Sequence, residues 1–257
     1  MKSSRLLKYF EEYIKKFDMN NNWAKSKYFH SLKSMDMARI IATSLNIFTE
    51  EEIVIIELIA LFHDIASFEN KSYNYLDYNE EDTSMKSIEI LFDEGIIRKI
   101  TPETKYDNTI KLGIFCHNKE GLPQNIDDKM VHICNIMKDV HKLEQIRMII
   151  NYPYIDNRIN SYPSSLVYND FKTFKCINAK ISDNNADNIL IVLSNMFGIH
   201  YEISYSIIEE NDYINKIIES LYFEDKKIEK FFKQIETVLN NYLRKRTINL
   251  QKENNMV

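Results

Sequence analysis

The sequence predicts an almost entirely α-helical protein, and three observations carry that reading. Glycine and proline number 4 each in 257 residues, where average usage would give about 18 and 13. Strands joined by tight hairpins are hard to build from so few. Apolar residues recur at helical spacing, and two segments open with helix-start signals. Asn, Ile, Lys, Tyr and Phe are abundant and share AT-rich codons, so the scarcity needs the periodicity beside it.

Helices are expected near 3–17, 24–45, 50–64, 83–94, 102–118, 127–150, 184–198, 205–220 and 226–246. The third is the best signalled. Thr49-Glu50-Glu51-Glu52 is a capping box in which Thr49 accepts from the amide three residues on, and Ile53, Ile56, Glu57 and Ala60 continue the period. Thr101-Pro102 reads as the start of 102–118, because the first turn does not need the N–H that proline lacks. The stretch 66–82 is polar and aromatic without a clean period and reads as a loop beside His63-Asp64. A second irregular stretch, 151–182, contains Pro153 and Pro163 and separates two helical halves. Met130, Met137 and Met148 fall at core spacing. Arg244-Lys245-Arg246 reads as a solvated helix end favoured by the macrodipole, and the last ten residues as frayed. No internal repeat is visible. The organisation expected is a helical domain over 1–150 and a C-terminal helical extension over 151–257 packing on the same core.

Composition narrows the function. The chain carries 33 Lys+Arg against 38 Asp+Glu, a formal charge of −5, with a pI near 5.8. This argues against a broad basic face for long nucleic acid and leaves small phosphorylated ligands open. No apolar run reaches the roughly 18 residues that span a bilayer; the run 53–62 is cut by Glu57 and closed by His63-Asp64. Residues 1–10 have Lys2, Arg5 and Lys8 but no apolar core or small-residue cleavage site, so they do not read as a signal peptide. A cytoplasmic protein is expected, with no membrane partner. Cys116, Cys134 and Cys176 are odd in number and lack C-x-x-C spacing, which fits reduced thiols.

The chemistry is sought among the 6 histidines. His63-Asp64 ends an apolar helix, where an adjacent imidazole and carboxylate can aim two ligands at one point. His30 sits earlier, at helical spacing with Lys33 and Met37. Asp139 lies on a largely apolar helix, in a polar stripe with His132, Asn135 and Lys142, and a carboxylate in that setting calls for a cation. The plainer readings stand beside these. A single histidine is more often a surface or satisfied residue than a ligand, and Asp139 can pair with Lys138 or Lys142 on its own helix. Cys116 beside His117 reads more readily as a buried thiol than as a nucleophile.

The joint order of these motifs is more specific than any one of them. The segments are His30-Ser31-Leu32-Lys33-Ser34-Met35, Leu61-Phe62-His63-Asp64-Ile65-Ala66-Ser67-Phe68-Glu69, Leu91 to Lys99, Cys116-His117-Asn118-Lys119, and Lys138-Asp139-Val140-His141-Lys142-Leu143-Glu144. In that order they resemble the HD superfamily of metal-dependent phosphohydrolases, whose last motif reads Arg-Asp-Ala-Asp-Lys-Leu-Asp. The resemblance covers residues 23–147, and a weaker one over 179–215 points to the tail of a bacterial subgroup of HD proteins.

The resemblance implies an HD-domain helical bundle with metal ligands at His30, His63, Asp64 and Asp139. Two imidazoles and two carboxylates suit one divalent ion, Mn, Fe, Co, Ni, Zn or Mg, and the absence of a thiolate argues against a structural zinc site. Asp64 would hold or deprotonate the attacking water. His117, Lys33, Lys142 and Arg147 would neutralise phosphate, with His117 also placed to donate to the leaving oxygen. The implied activity is hydrolysis of a nucleotide or another small phosphate ester. A second reading keeps the metal and the phosphorylated ligand but makes the domain a catalytically weak regulatory or interaction module. A third is an all-α scaffold without metal. This chain departs from the family at Ala66-Ser67, where many members read Gly-Arg or Gly-Lys, at His141 and Glu144, which replace aspartates, and at Thr83, where members with a fuller histidine set carry another His. Thr83 points to one ion per chain.

Overall fold

A computed structural model of the chain describes residues 2–69, 80–119, 121–151 and 156–254, with the backbone alone at 80–82 and 248–254. Among the described residues there are twelve α-helices and one pair of two-residue strands, and the protein is 72% helical. The all-α class is therefore what the chain adopts. It divides into two compact units, Met1–His141 and Lys142–Val257, and the division falls inside a helix.

The first unit is built around one buried helix. Its elements are α1 (Ser3–Ile14), α2 (Asn22–Ser44), α3 (Glu50–Phe62), a 3-10 turn at Ile65–Glu69, α4 (Glu80–Phe92), α5 (Ile96–Ile100), α6 (Asp107–Cys116) and the first part of α7 (Asp128–Asn151). Helix α3 opens with the capping box: Glu52 N donates to Thr49 Oγ1 at 3.3 Å and Thr49 N donates to Glu52 Oε2 at 2.8 Å. Every residue from Ile53 to Phe62 is buried, as a helix apolar on all sides requires. Helices α1, α2 and α6 pack on it. The Glu57 that breaks its apolar run accepts from Ser3 Oγ at 2.7 Å and pairs with Arg39 Nη1 at 3.2 Å, so the charge is satisfied in place. Phe62 meets Phe10 edge to face at 5.6 Å.

Helix α6 approaches α3 through Gly113. A Cβ there would lie 2.8 Å from Ile59 Cδ1 and 3.0 Å from its Cγ2, inside van der Waals contact, so a larger residue would have to displace the buried Ile59 side chain. The start expected at Thr101-Pro102 is corrected: Thr101 caps the C-terminus of α5, in extended conformation at φ −142°, ψ 131°. Proline disfavours the α region in the residue before it, and here that rule stops α5 rather than starting α6. Of the loop expected over 66–82, residues 66–69 belong to the 3-10 turn and 80–82 to α4, while 70–79 lie outside the described residues.

The second unit takes the remainder of α7, then β1 (Arg158–Ile159), α8 (Ser165–Phe171), α9 (Asn185–Ser194), α10 (Glu202–Glu210), α11 (Tyr213–Ser220), β2 (Tyr222–Phe223) and α12 (Lys226–Asn254). The two strands pair in parallel. The irregular reading of 151–182 is corrected in part, because Ser164 accepts from Val167 N and starts α8; residues 152–155 lie outside the described residues. Fully buried Asp187 accepts from Ser164 N at 2.7 Å and from Asp183 N at 3.0 Å, fixing the chain before α8 to the start of α9. The helix expected over 205–220 is two helices, broken where Asp212 takes the left-handed conformation at φ 53°. Helix α12 runs past Arg244-Lys245-Arg246 to Asn254, longer than its apolar period suggests. No described helix is long and apolar enough to cross a membrane.

Candidate metal centre

Two helices of the first unit end on a histidine, and each histidine is held in the same way. His63 is the C-cap of α3 and His117 the C-cap of α6. The last turn of a helix leaves carbonyls without an amide partner. His63 Nδ1 lies 2.8 Å from Ala60 O, and His117 Nδ1 lies 2.6 Å from Ile114 O. A carbonyl only accepts, so in both rings Nδ1 carries the proton. Burial, then the neighbouring His117 and His30, lowers the basicity of His63 well below the ordinary value. Burial likewise pushes His117 down to about 4. Both rings are neutral near pH 7, and both keep their lone pair on Nε2.

These lone pairs converge. His30, one face of α2, brings Nε2 to 3.2 Å from His63 Nε2 and to 3.9 Å from Asp64 Oδ2. Two nitrogens bound at about 2.0–2.1 Å to a tetrahedral ion would lie about 3.4 Å apart, so the His30–His63 spacing fits one ion. On the other side, the His117 ring stands 4.7 Å from the His63 ring and 5.2 Å from the His141 ring, centre to centre. One nitrogen each from His63, His117 and His141 lies within 4.8 Å of the others. These three nitrogens form a group that could hold a metal ion, and His63 belongs both to it and to the pair with His30.

Asp64 supplies negative charge. Burial would raise its carboxyl, but Lys27, followed by His63 and His30, overcomes this and holds it well below the usual carboxylate range. Lys27 Nζ donates to Asp64 Oδ2 at 2.7 Å. The donor set of imidazoles beside an ionised carboxylate fits a divalent cation of the first transition row or Mg²⁺.

The structure thus brings together His30, His63, Asp64 and His117. Asp139 is fully buried on α7, two residues before His141. Lys33 is exposed on α2 and bonds Asp36 at 3.3 Å. Lys142 and Arg147 fall in the second unit, where Arg147 makes a two-pronged pair with Glu144 at 2.6 and 2.8 Å. Sequence reasoning passed over two residues. One is His141, which it counted only as a replaced aspartate. The other is Lys27, whose signal was the helical stripe Trp23, Lys27, His30 on one face of α2.

A cavity of about 680 Å³ lies at the opposite end of the same helices, lined by Glu52 and Ile55 of α3, Thr109 and Leu112 of α6, and Lys129 and Ile133 of α7. Within its lining Lys129 pairs with Glu52 at 2.6 Å. Cys116 and Cys134 are buried free thiols and Cys176 an exposed one.

No curated protein and no solved structure matches the chain. Residues 28–144 match the sequence model of the HD domain. That span begins just before His30 and ends just after His141, enclosing every histidine and carboxylate of the centre. Residues 28–144 are therefore an HD domain.

Proposed function

We propose that the protein is a metal-dependent phosphohydrolase acting on a nucleotide or another small phosphate ester, with a single divalent ion held at His30, His63, Asp64 and Asp139. The observation that supports this most directly is the pair of Nε2 atoms 3.2 Å apart at His30 and His63 beside ionised Asp64. A divalent ion there would supply Lewis-acid polarisation of a phosphoryl oxygen and acidify a water.

The chain's own residues do the rest. Ala60 O and Ile114 O fix the tautomers of His63 and His117, so both present a lone pair without reorganisation. Asp64 stays ionised and can orient a water by accepting its hydrogen bond. His117, close to His63 and neutral, presents its Nε2 lone pair and can accept a hydrogen bond from a water or a ligand hydroxyl. His30, His63, Asp64 and His117 are themselves buried, and the low dielectric of that setting strengthens each charge interaction. The net charge of −5 favours a small phosphate over a long nucleic acid, and nothing in this reading needs a membrane.

Elemental analysis of the purified protein, with hydrolysis of generic phosphate esters measured over several divalent metals, tests the reading. Activity should require the metal and should vanish in His63→Ala and Asp139→Ala. Full activity in chelator would overturn it. The Ala66-Ser67 departure favours the second reading, a ligand-binding regulatory module, and metal binding without hydrolysis of any ester would select it.

A further inference from the structure

The motif after His63-Asp64-Ile65 is Ala66-Ser67, with no basic residue, yet a positive charge stands at Asp64 all the same. It arrives from α2. Lys27 Nζ lies 2.7 Å from Asp64 Oδ2, with the two side chains only 5% and 7% exposed. The seat for this lysine is built. The ring of Trp23, one turn earlier, lies 4.8 Å from Nζ, and its Nε1 donates to Ser67 O at 2.8 Å. Ser67 bonds back to Asp64 O through its amide at 3.0 Å and its hydroxyl at 2.6 Å. The residue that replaces the family's base is thus the anchor that holds Trp23 against the lysine. Lys27 and His30, three apart, share a face of α2, so ammonium and imidazole meet the same carboxylate oxygen.

We infer that Lys27 is a positioning residue that holds Asp64 and, as a resident cation at that carboxylate, lowers the affinity of the centre for its divalent ion. The inference rests on the metal-site reading above. A carboxylate already paired with an ammonium offers less charge to a second cation, and in a buried setting the ammonium repels that cation with little screening. Lys27 cannot leave for solvent without stranding an unpaired charge in the core. The centre is therefore one that keeps its shape when empty and loads only at higher metal concentration.

Mn²⁺ binding to the full chain, read from the electron paramagnetic resonance of the free ion, tests this without substrate. Lys27→Gln keeps an N–H donor for Asp64 and removes the charge, and it should bind Mn²⁺ at least about tenfold more tightly than wild type. Lys27→Arg keeps the charge and should stay within about threefold. Adding Asp64→Asn to Lys27→Gln should abolish the gain. Unchanged or weaker affinity in Lys27→Gln, with wild-type binding intact, overturns the inference alone; no Mn²⁺ uptake by either protein overturns the metal reading with it. If Lys27→Gln does not fold, Asp64→Asn alone decides. A loss below about tenfold supports a carboxylate already engaged by Lys27, and a larger loss overturns that.

Discussion

His63 and His117 meet edge to face with ring centres 4.7 Å apart, each closing its helix by donating Nδ1–H to the carbonyl three residues back. This leaves one lone pair per ring. His63 lies both in the pair with His30 and in the set with His117 and His141, yet its Nε2 can bind only one ion at a time. One ion per chain is expected by elemental analysis at saturating metal, and His117→Ala should leave that count unchanged. Two tightly bound ions in the wild-type protein would refute the argument.

The helix approach that sets this distance lies one turn below it. Gly113 is four residues before His117, and Ile59 is four before His63, and a methyl group at Gly113 would come within 2.8 Å of Ile59 Cδ1. Gly113→Ala should push α6 from α3, costing about 1–3 kcal/mol and weakening metal binding. Gly121→Ala, where a Cβ meets nothing within 4 Å, should do neither. Thermal melts and a metal titration of both variants check this.

Thr49→Ala separates stability from the site. It removes the capping box at the start of α3 and should cost about 1 kcal/mol in urea denaturation. His63 stands at the far end of the same helix, so metal affinity should hold once the folded fraction is corrected. A parallel loss of affinity would show that α3 frays as a whole.

Acid should destabilise the metal-free protein well above the carboxylate range. Burial lowers His63 far below 6.5 and His117 to about 4. The unfolded chain therefore takes up protons that the native state refuses. The stability from these two groups is present above pH 6.5 and is lost as pH falls toward 4, by on the order of 1.4 kcal/mol per pH unit for each. Asp64, lowered from 3.8, contributes its loss only below that value. Urea midpoints at pH 7.5, 6 and 5 should fall in order, and a saturating divalent metal should move the whole series up. A flat series between pH 7.5 and 5 would sink the idea that these rings are buried neutral.

How much of this was legible beforehand follows from the range of the interactions. The capping box at Thr49 and the apolar period of 53–62 are local, so the sequence by itself determined α3 and with it the placing of His63-Asp64 at a helix end. The order of His30, His63-Asp64, His117 and Asp139 likewise pointed to an HD domain over 23–147, against the 28–144 of the family match. Pro102 was legible as a boundary but not as to which side of it was helical, because proline both suits a first turn and forbids an α conformation before it. The break at Asp212 hung on one backbone conformation that no period records. Only the tertiary structure decided that Lys27 reaches Asp64 across 37 positions, that His141 joins His117, and which nitrogen of each ring is free. Those facts depend on how α2, α3 and α6 cross, and crossing is set by side-chain packing at contacts such as Gly113 against Ile59, which lie far apart in the chain and leave no period in it.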